Sequence, residues 1–175
     1  GLGKVNKKLT SVEKATSTIL NNIPVLSSYE EIVLNSLGKT LAKPVTALLS
    51  NPPSDVSSMD GYALKNSDID TGVIEFTVID ESVAGKSSSK TVATMQTVRI
   101  FTGAKIPHGA DRIILQEDVK RLGNNLIKID KNKLENNNFF IRKTGMDFKF
   151  GEKLIDNGEV LNTRNISLCV ASGNS

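Results

Sequence analysis

Two adjacent prolines divide this 175-residue sequence into parts of different character. Pro52 and Pro53 stand in the segment Asn51-Pro52-Pro53-Ser54-Asp55, where they fix the backbone and remove two hydrogen-bond donors. Neither a helix nor a central strand can continue through such a segment. The chain must therefore turn here, and a domain boundary is expected near residue 51.

The part before the prolines carries a helix signal and then short mixed elements. Thr10 and Glu13 have the spacing of a capping box, apolar residues follow at helical intervals, and Pro24 ends the run. Beyond it the pattern predicts a strand over residues 31–34, a short helix over 36–42 and a second strand over 44–49.

The part after the prolines alternates short β-branched segments with Gly, Asn and Asp, which is typical of a small barrel or sandwich. The predicted strands span residues 73–79, 98–101, 112–115, 126–129 and 139–142, and a hairpin turn is expected at residues 123–125. Helix signals return near the end of the chain. There Asn162 or Thr163 is a capping residue and Gly173 closes the helix.

These patterns predict a β-rich α+β protein. Residues 1–50 and 141–175 are expected to form a discontinuous mixed first domain. Residues 51–140 are expected to form an inserted second domain, which resembles either a small β-barrel or a sandwich.

Composition excludes several functional classes. The chain has one cysteine, Cys169, and one histidine, His108, so it has no internal disulfide, no cysteine-based zinc site and no histidine-rich metal site. No apolar run is long enough to cross a bilayer and no signal-peptide core follows the basic start, so a cytoplasmic protein without a membrane partner is expected. A net charge of +3 and 5% aromatic residues argue against nucleic-acid binding.

Two polar stretches follow the prolines at strand ends or turns, where functional residues concentrate. In the first, residues 57–63, Asp60 precedes a glycine and could accept hydrogen bonds or hold a cation; a turn aspartate that bonds its own backbone is the alternative. In the second, residues 99–110, the amides and hydroxyl of Thr102-Gly103 could hold an oxyanion, or Thr102 could bond locally.

A third and a fourth stretch lie further along the chain. Arg142 in residues 141–147 could bind an anion bidentately, although a solvated strand end is the alternative. Glu117 and Asp118 could bind a hard cation such as magnesium. His108 is expected in a surface turn, and Cys169 is expected to be packed, on the apolar face of a helix.

Taken in order, these stretches resemble the molybdopterin molybdenumtransferase family, which includes bacterial MoeA and the E domains of a plant molybdenum-insertion protein and of animal gephyrin. The matching text comprises Ser58 to Ala63, Val83 to Gly85, Arg99 to Ala104, Pro107, Gly109 to Asp111, Gln116 to Asp118, Ile141-Arg142, Gly145, Asp147 and Gly151 to Ile155. The resemblance covers roughly Thr10 to Gly173 and concerns the N-terminal region of the family.

The resemblance implies a two-domain arrangement like the one predicted above, followed by a pterin-binding third domain and a β-rich C-terminal domain. This sequence contains neither, so it is expected to be the N-terminal fragment of a longer protein. The complete enzyme is expected to insert molybdenum from molybdate into adenylylated molybdopterin, with Mg²⁺ required. A homodimer is implied, and the molybdopterin adenylyltransferase is a possible partner. The alternative is a non-catalytic oligomerisation or scaffolding module of the same fold.

The resemblance also assigns residues, while the metal ligands stay unknown. Asp60, Thr102 and Asp147 are implied to be catalytic. The substrate-binding residues implied are Ser58, Met59, Gly61, Tyr62, Gly103, Glu117 and Arg142. The sequence departs from the family beside Asp147, because many relatives have Arg and Glu where this chain has Thr144 and Met146.

Overall fold

The computed structural model describes residues 9–134 and 138–175, which fall into two units that divide between Glu31 and Ile32. The described part of the first unit contains helix α1 (Val12–Asn22). Its capping residue is Ser11, whose hydroxyl accepts a hydrogen bond from the Lys14 amide at 3.3 Å. The predicted capping box at Thr10 and Glu13 is therefore wrong by one residue. The helix ends ahead of Pro24, as predicted.

The second unit consists mostly of strands, with few helices, as the alternating sequence predicts. Within the described residues the strands are β1 (Val45–Thr46), β2 (Val56–Ser57), β3 (Gly61–Leu64), β4 (Glu75–Ser82), β5 (Gln96–Ile100), β6 (Arg112–Leu115), β7 (Val119–Arg121), β8 (Leu126–Ile129), β9 (Ile141–Arg142) and β10 (Lys153–Ile155). The helices are α2 (Asn66–Asp70) and α3 (Thr163–Ala171), and 3-10 turns occupy Val33–Asn35, Gln116–Asp118 and Lys131–Lys133. None of the helices described is long and apolar enough to cross a bilayer.

Six of the strands form one sheet in the order β6-β3-β5-β4-β8-β7. All neighbouring strands are antiparallel except β4 and β5, which are parallel. Because successive residues of a strand face opposite sides, Tyr62 and Leu64 of β3 pack in one apolar cluster, and Ala63 packs in another. The four residues of β3 are all buried, and this short strand lies between β6 and β5.

A third apolar cluster includes the end of the chain. Its buried members are Ile155 of β10, Leu161, which precedes α3, and Cys169 of α3. Val45 of β1 pairs with Ile155 and packs against the same cluster. Burial raises the pKa of the Cys169 thiol, which agrees with its predicted packing role.

Several sequence predictions match the strands and turns closely. The predicted strands 112–115 and 126–129 coincide with β6 and β8. The predicted turn at 123–125 joins β7 to β8, and the Leu122 amide donates to the Leu126 carbonyl at 2.9 Å. Asn162 caps α3, and Gly173 follows its end with a φ of +87°, as the sequence predicts.

Other predictions are wrong. The expected strand over 31–34 is replaced by the 3-10 turn at Val33–Asn35. No helix forms over 36–42, because Gly38 has a φ of +77° and Thr40 instead pairs with Val160. The boundaries of the predicted discontinuous domain stay a prediction.

Gly61 permits the close approach of β3 to β6. A Cβ atom at this position would lie 2.0 Å from the Ile114 carbonyl oxygen, which belongs to the paired strand. Real side chains do not tolerate such a contact, so any substitution must push the two strands apart. The glycine is therefore required by backbone packing, whatever else it does.

We expect Gly61→Ala to lower the free energy of unfolding by about 2–3 kcal/mol, in the range of overpacked cores, as measured by urea denaturation. Gly123→Ala is the matched control, because no atom lies within 4 Å of its added Cβ. Equal stability of the two variants would contradict the tight contact between β3 and β6.

Candidate functional site

β2 brings together three of the four polar stretches that stand out in the sequence. On one side it pairs with β9, with Val56 opposite Arg142 and Ser57 opposite Ile141. On its other side it contacts the turn after β5. There the Ser57 amide donates to the Ala104 carbonyl at 2.9 Å, and the Gly103 amide donates to the Ser57 carbonyl at 2.8 Å. A strand of two residues thus places residues 57–63, 99–110 and 141–147 side by side.

The Asp60 carboxylate is held by the turn that the sequence suggests for an oxyanion. Its Oδ1 accepts hydrogen bonds from the Thr102 amide at 2.8 Å and from the Thr102 hydroxyl at 2.9 Å. The partner lies 42 residues away, so Asp60 is not a turn residue that bonds only its own backbone. The oxyanion that this turn holds in the structure is the protein's own carboxylate.

Asp60 is charged at neutral pH. The Thr102 amide, the Thr102 hydroxyl and, to a smaller extent, the Arg99 guanidinium hold the pKa of Asp60 below its usual value. Hydrogen bonds to the ionised form and a nearby positive charge both favour it. Among the described residues no hydrogen-bond donor contacts Oδ2 of Asp60, so this oxygen keeps its full capacity as an acceptor.

The backbone around Asp60 is held by the fourth polar stretch. The Gln116 amide donates to the Asp60 carbonyl at 3.3 Å, which places the 3-10 turn Gln116–Asp118 beside Asp60. Glu117 in this turn is exposed, and its Oε1 lies 3.4 Å from the Gln116 side-chain nitrogen. Arg99 donates to the Gly61 carbonyl at 2.9 Å and to Oε1 of Gln116 at 2.6 Å.

The turn before Asp60 is held by Ser57. Its buried hydroxyl donates to the Met59 carbonyl at 2.6 Å and accepts from the Met59 amide at 3.3 Å. The Ser58 amide donates to the Phe140 carbonyl at 2.9 Å, so this turn is also anchored to the segment before β9. The Met59 side chain is 41% exposed and the following Tyr62 is buried. The turn therefore presents Met59 and Asp60 to solvent from a fixed backbone.

Asp55 forms a second carboxylate site at the other end of β2. Its Oδ1 accepts from the Thr144 amide at 2.9 Å and hydroxyl at 3.1 Å, and its Oδ2 accepts from Lys143 at 2.8 Å. Lys143 first, and then the Thr144 amide, hold the pKa of Asp55 below its usual value. In this chain the departure at Thr144 thus supplies a hydroxyl contact to Asp55, whereas Met146 is 67% exposed.

Asp147 uses both of its oxygens within the protein. Oδ1 accepts from Arg142 at 2.6 Å, and Oδ2 accepts from the Asn51 side chain at 2.9 Å. The Asp147 amide also donates to the Asn51 carbonyl at 2.9 Å. This carboxylate joins β9 to the segment beside the prolines. Asn51 and Pro52 are linked by a cis peptide bond.

The structure therefore separates the sequence-predicted residues into two groups. Asp60, Thr102, Gly103, Glu117 and the turn from Ser58 to Tyr62 lie at one end of β2. Asp147 and Arg142 lie with β9 at the other end. Within residues 9–134 and 138–175, the two carboxylates share no donor, since Thr102 binds Asp60 whereas Arg142 and Asn51 bind Asp147.

Sequence reasoning missed three residues that organise these groups, namely Ser57, Arg99 and Asp55. The Ser57 contact has a local signal, because a serine two residues before its backbone partner often forms a turn of this kind. Arg99 and Asp55 have no such signal, since their partners lie 17 to 89 residues away.

Comparison with known proteins decides the family. Residues 10–173 match the family described as MoeA N-terminal region (domain I and II). The chain belongs to this family.

The relatives and structural neighbours of the chain agree with this family. The chain is 30% identical over 172 residues to a molybdopterin molybdenumtransferase of Nostoc sp., and 31% identical over 166 residues to one of Staphylococcus aureus (strain COL). These matches cover 94% and 93% of the chain, but 39% of each relative. A molybdopterin biosynthesis MoeA protein from Pyrococcus horikoshii matches with a TM-score of 0.83 and 29% identity, over 95% of this chain and 44% of that one.

The Thr102 hydroxyl contact leads to a titration experiment. Thr102→Ala removes the hydroxyl donor and keeps the amide donor, so the pKa of Asp60 should rise towards its ordinary value without reaching it. Thr102→Ser keeps both donors and should leave the pKa unchanged. The carboxyl carbon resonance of Asp60, followed by NMR through a pH titration, measures both variants.

The same substitution has a pH-dependent effect on stability. A lowered carboxyl pKa stabilises the fold above the ordinary pKa, and this stability is lost as the pH falls through the lowered value. Thr102→Ala should therefore have a lower thermal midpoint than Thr102→Ser at pH 7, and the difference should shrink in acid. A difference that grows in acid would contradict the assigned contact.

Proposed function

We propose that the protein of which this chain is the N-terminal region inserts molybdenum from molybdate into adenylylated molybdopterin. The observation that carries the proposal is the match to the family over residues 10–173, together with a charged Asp60 within the matching motif, one of whose oxygens is bound by Thr102. The relatives that bear the name molybdopterin molybdenumtransferase support the same reaction. The chain spans 39% of their length, so the proposal concerns a protein of the relatives' size.

In this proposal Asp60 and Thr102 act as a pair. Thr102 favours the ionised form of Asp60 and fixes one of its oxygens, and the other oxygen is available to the reactants. A fixed charge at a reaction site is effective because little reorganisation is needed during the reaction. Ser58, Met59, Gly61, Tyr62 and Gly103 shape the backbone that carries this pair, and Glu117 adds an exposed carboxylate nearby.

Asp147 and Arg142 have a different proposed role. Both oxygens of Asp147 are engaged by Arg142 and Asn51, so Asp147 acts by orienting the guanidinium rather than as a free base. Arg142 presents its remaining donors, which suit the phosphate or molybdate oxygens of the substrates.

The proposal includes Mg²⁺, and the residues present supply part of what a Mg²⁺ site requires. No group of three or more His, Cys, Asp or Glu side chains in the described residues is arranged to hold a metal. Mg²⁺ is commonly held by one or two carboxylates together with substrate phosphates and water. Asp60 would supply one such oxygen, and the metal's charge would offset the negative charge of the substrates.

We also propose the domain arrangement and the assembly that the sequence suggests. Residues 1–50 and 141–175 would form one domain, with residues 51–140 inserted as a barrel-like or sandwich-like domain. The pairing of β1 with β10 supports this division, and β2 pairs with β9 across its boundary. The complete protein would be a homodimer that receives its substrate from a molybdopterin adenylyltransferase.

A polypeptide of these 175 residues should dimerise only weakly, because it has less surface to bury in an interface than a protein of the relatives' size. Sedimentation over a concentration series measures this. A dimer that persists at nanomolar concentration would contradict this expectation.

The proposed reaction is tested by Asp60→Asn in the complete protein. Asparagine keeps the hydrogen-bond acceptor and loses the charge, so molybdenum insertion should fall about ten- to a thousand-fold, as for one lost electrostatic contact. The thermal midpoint should change much less. Thr102→Ala should lower insertion as well.

Glu159→Gln is the matched control, because this carboxylate is exposed and distant in sequence from the polar stretches. It should leave both the insertion rate and the thermal midpoint unchanged. Normal insertion by Asp60→Asn and Thr102→Ala would remove both residues from the site.

A further inference from the structure

Arg99 contacts Gly61 and Gln116, two residues that adjoin Asp60. It lies on β5 opposite Tyr62 of β3, and one guanidinium nitrogen donates to the Gly61 carbonyl at 2.9 Å. The other terminal nitrogen donates to Oε1 of Gln116 at 2.6 Å. Gly61 follows Asp60 directly, and the Gln116 amide donates to the Asp60 carbonyl. A single side chain therefore contacts both the residue that follows Asp60 and the residue whose amide binds the Asp60 carbonyl.

Two aromatic rings fix the orientation of the Arg99 guanidinium. Its central carbon lies 5.1 Å from the centre of the Tyr62 ring and 4.5 Å from the centre of the Phe101 ring. Both distances are within the range of cation–π contacts. Phe101 directly precedes Thr102, the residue that holds the Asp60 carboxylate. Arg99 thus also contacts the turn that supplies Asp60 with its two donors.

We propose that Arg99 is a positioning residue of the Asp60 site. Its planar guanidinium holds the Gly61 carbonyl, the Gln116 side chain and the Phe101 ring in one arrangement. In that arrangement Thr102 reaches one carboxylate oxygen of Asp60, and the other oxygen stays available to a ligand. This inference deepens the function proposed above and rests on it for its role in the reaction, but the positioning itself is a property of this chain.

Charge and geometry at position 99 can be separated by substitution. Lysine keeps a positive charge but lacks the planar fork that reaches two acceptors while stacking on a ring. Methionine keeps an apolar stem and loses the charge. If Arg99 acts through geometry, Arg99→Lys and Arg99→Met should both loosen the Asp60 turn. Only Arg99→Met should remove the favourable charge near Asp60.

The test is amide hydrogen exchange of this chain, followed by NMR. The reporting amides are those of Thr102 and Gln116, which both donate to Asp60. The Ile129 amide, which donates to the Ile74 carbonyl near the other edge of the sheet, is the internal reference for global opening. Relative to Ile129, both reporting amides should exchange about ten-fold faster in Arg99→Lys and in Arg99→Met, as expected for local loss of a charged hydrogen bond.

Arg121→Met is the matched control, because Arg121 is an exposed arginine on β7 of the same sheet. It should leave the exchange ratios unchanged. The pKa of Asp60 should rise in Arg99→Met and stay closer to that of the unsubstituted chain in Arg99→Lys. Unchanged exchange ratios in both Arg99 variants would overturn the proposal.

If the Arg99 variants fail to fold, a substitution at Gln116 provides a second test. Gln116→Ala removes one acceptor of Arg99 from an exposed position, so the fold should tolerate it. Faster relative exchange at Thr102 in this variant supports the proposal, and an unchanged rate contradicts it.

Activity of the complete protein is a separate readout. There Arg99→Lys should lower kcat about ten-fold or more with little change in KM, because the substitution disturbs the alignment of Asp60 rather than substrate contacts. Absence of molybdenum insertion in the unsubstituted protein would refute the proposed function. The exchange result would still decide whether Arg99 positions Asp60.

Discussion

The pairing of β3 with a strand on each side is the constraint on which the rest of the site depends. This strand of four buried residues pairs with β5 on one side and β6 on the other. Gly61 permits the approach to β6, since a Cβ atom there would lie 2.0 Å from a backbone oxygen. Asp60 immediately precedes this strand, so its backbone position follows from the sheet. Arg99 and Gln116 reach it because they belong to β5 and to the turn after β6.

β2 adds a second constraint, because it contacts both the turn after β5 and the later strand β9. An aspartate stands before this two-residue strand and another shortly after it, and each binds the amide and the hydroxyl of a distant threonine. Asp55 binds Thr144 and Asp60 binds Thr102. The two sites differ in charge, because Asp55 also has Lys143 as a direct partner. Asp60 is therefore the carboxylate better suited to contact a ligand.

The comparison of Asp60 with Asp147 shows how similar sequence contexts lead to different chemistry. Both stand in glycine-containing turns that match family motifs. Asp147 has an oxygen bound to Arg142 and another bound to Asn51, whereas Asp60 has two donors from a single residue on one oxygen. A carboxylate with an unengaged oxygen can accept a cation or a donor without first losing a partner. This difference supports separate roles for the two residues in the proposed reaction.

Much of the local structure and the family could be predicted from the sequence. The β-branched segments at 112–115 and 126–129, the turn at 123–125 and the capped helix α3 are local patterns, and the structure contains them all. The ordered motifs also identified the family over nearly the whole chain, in agreement with the match to residues 10–173. β3 was missed because Gly-Tyr-Ala-Leu has no β-branched residue and is stabilised by neighbours on both sides.

The sequence by itself determined that Asp60 stands in a turn beside a glycine, that Thr102 follows a strand, and that both belong to one family motif set. Only the tertiary structure decided that Thr102 binds Asp60, that Arg99 spans Gly61 and Gln116, and that Asp147 lies apart from this group. Local patterns depend on residues a few positions apart, which the chain itself keeps close. Contacts across 17 to 42 residues depend on strand register, and that is set by packing of the whole sheet.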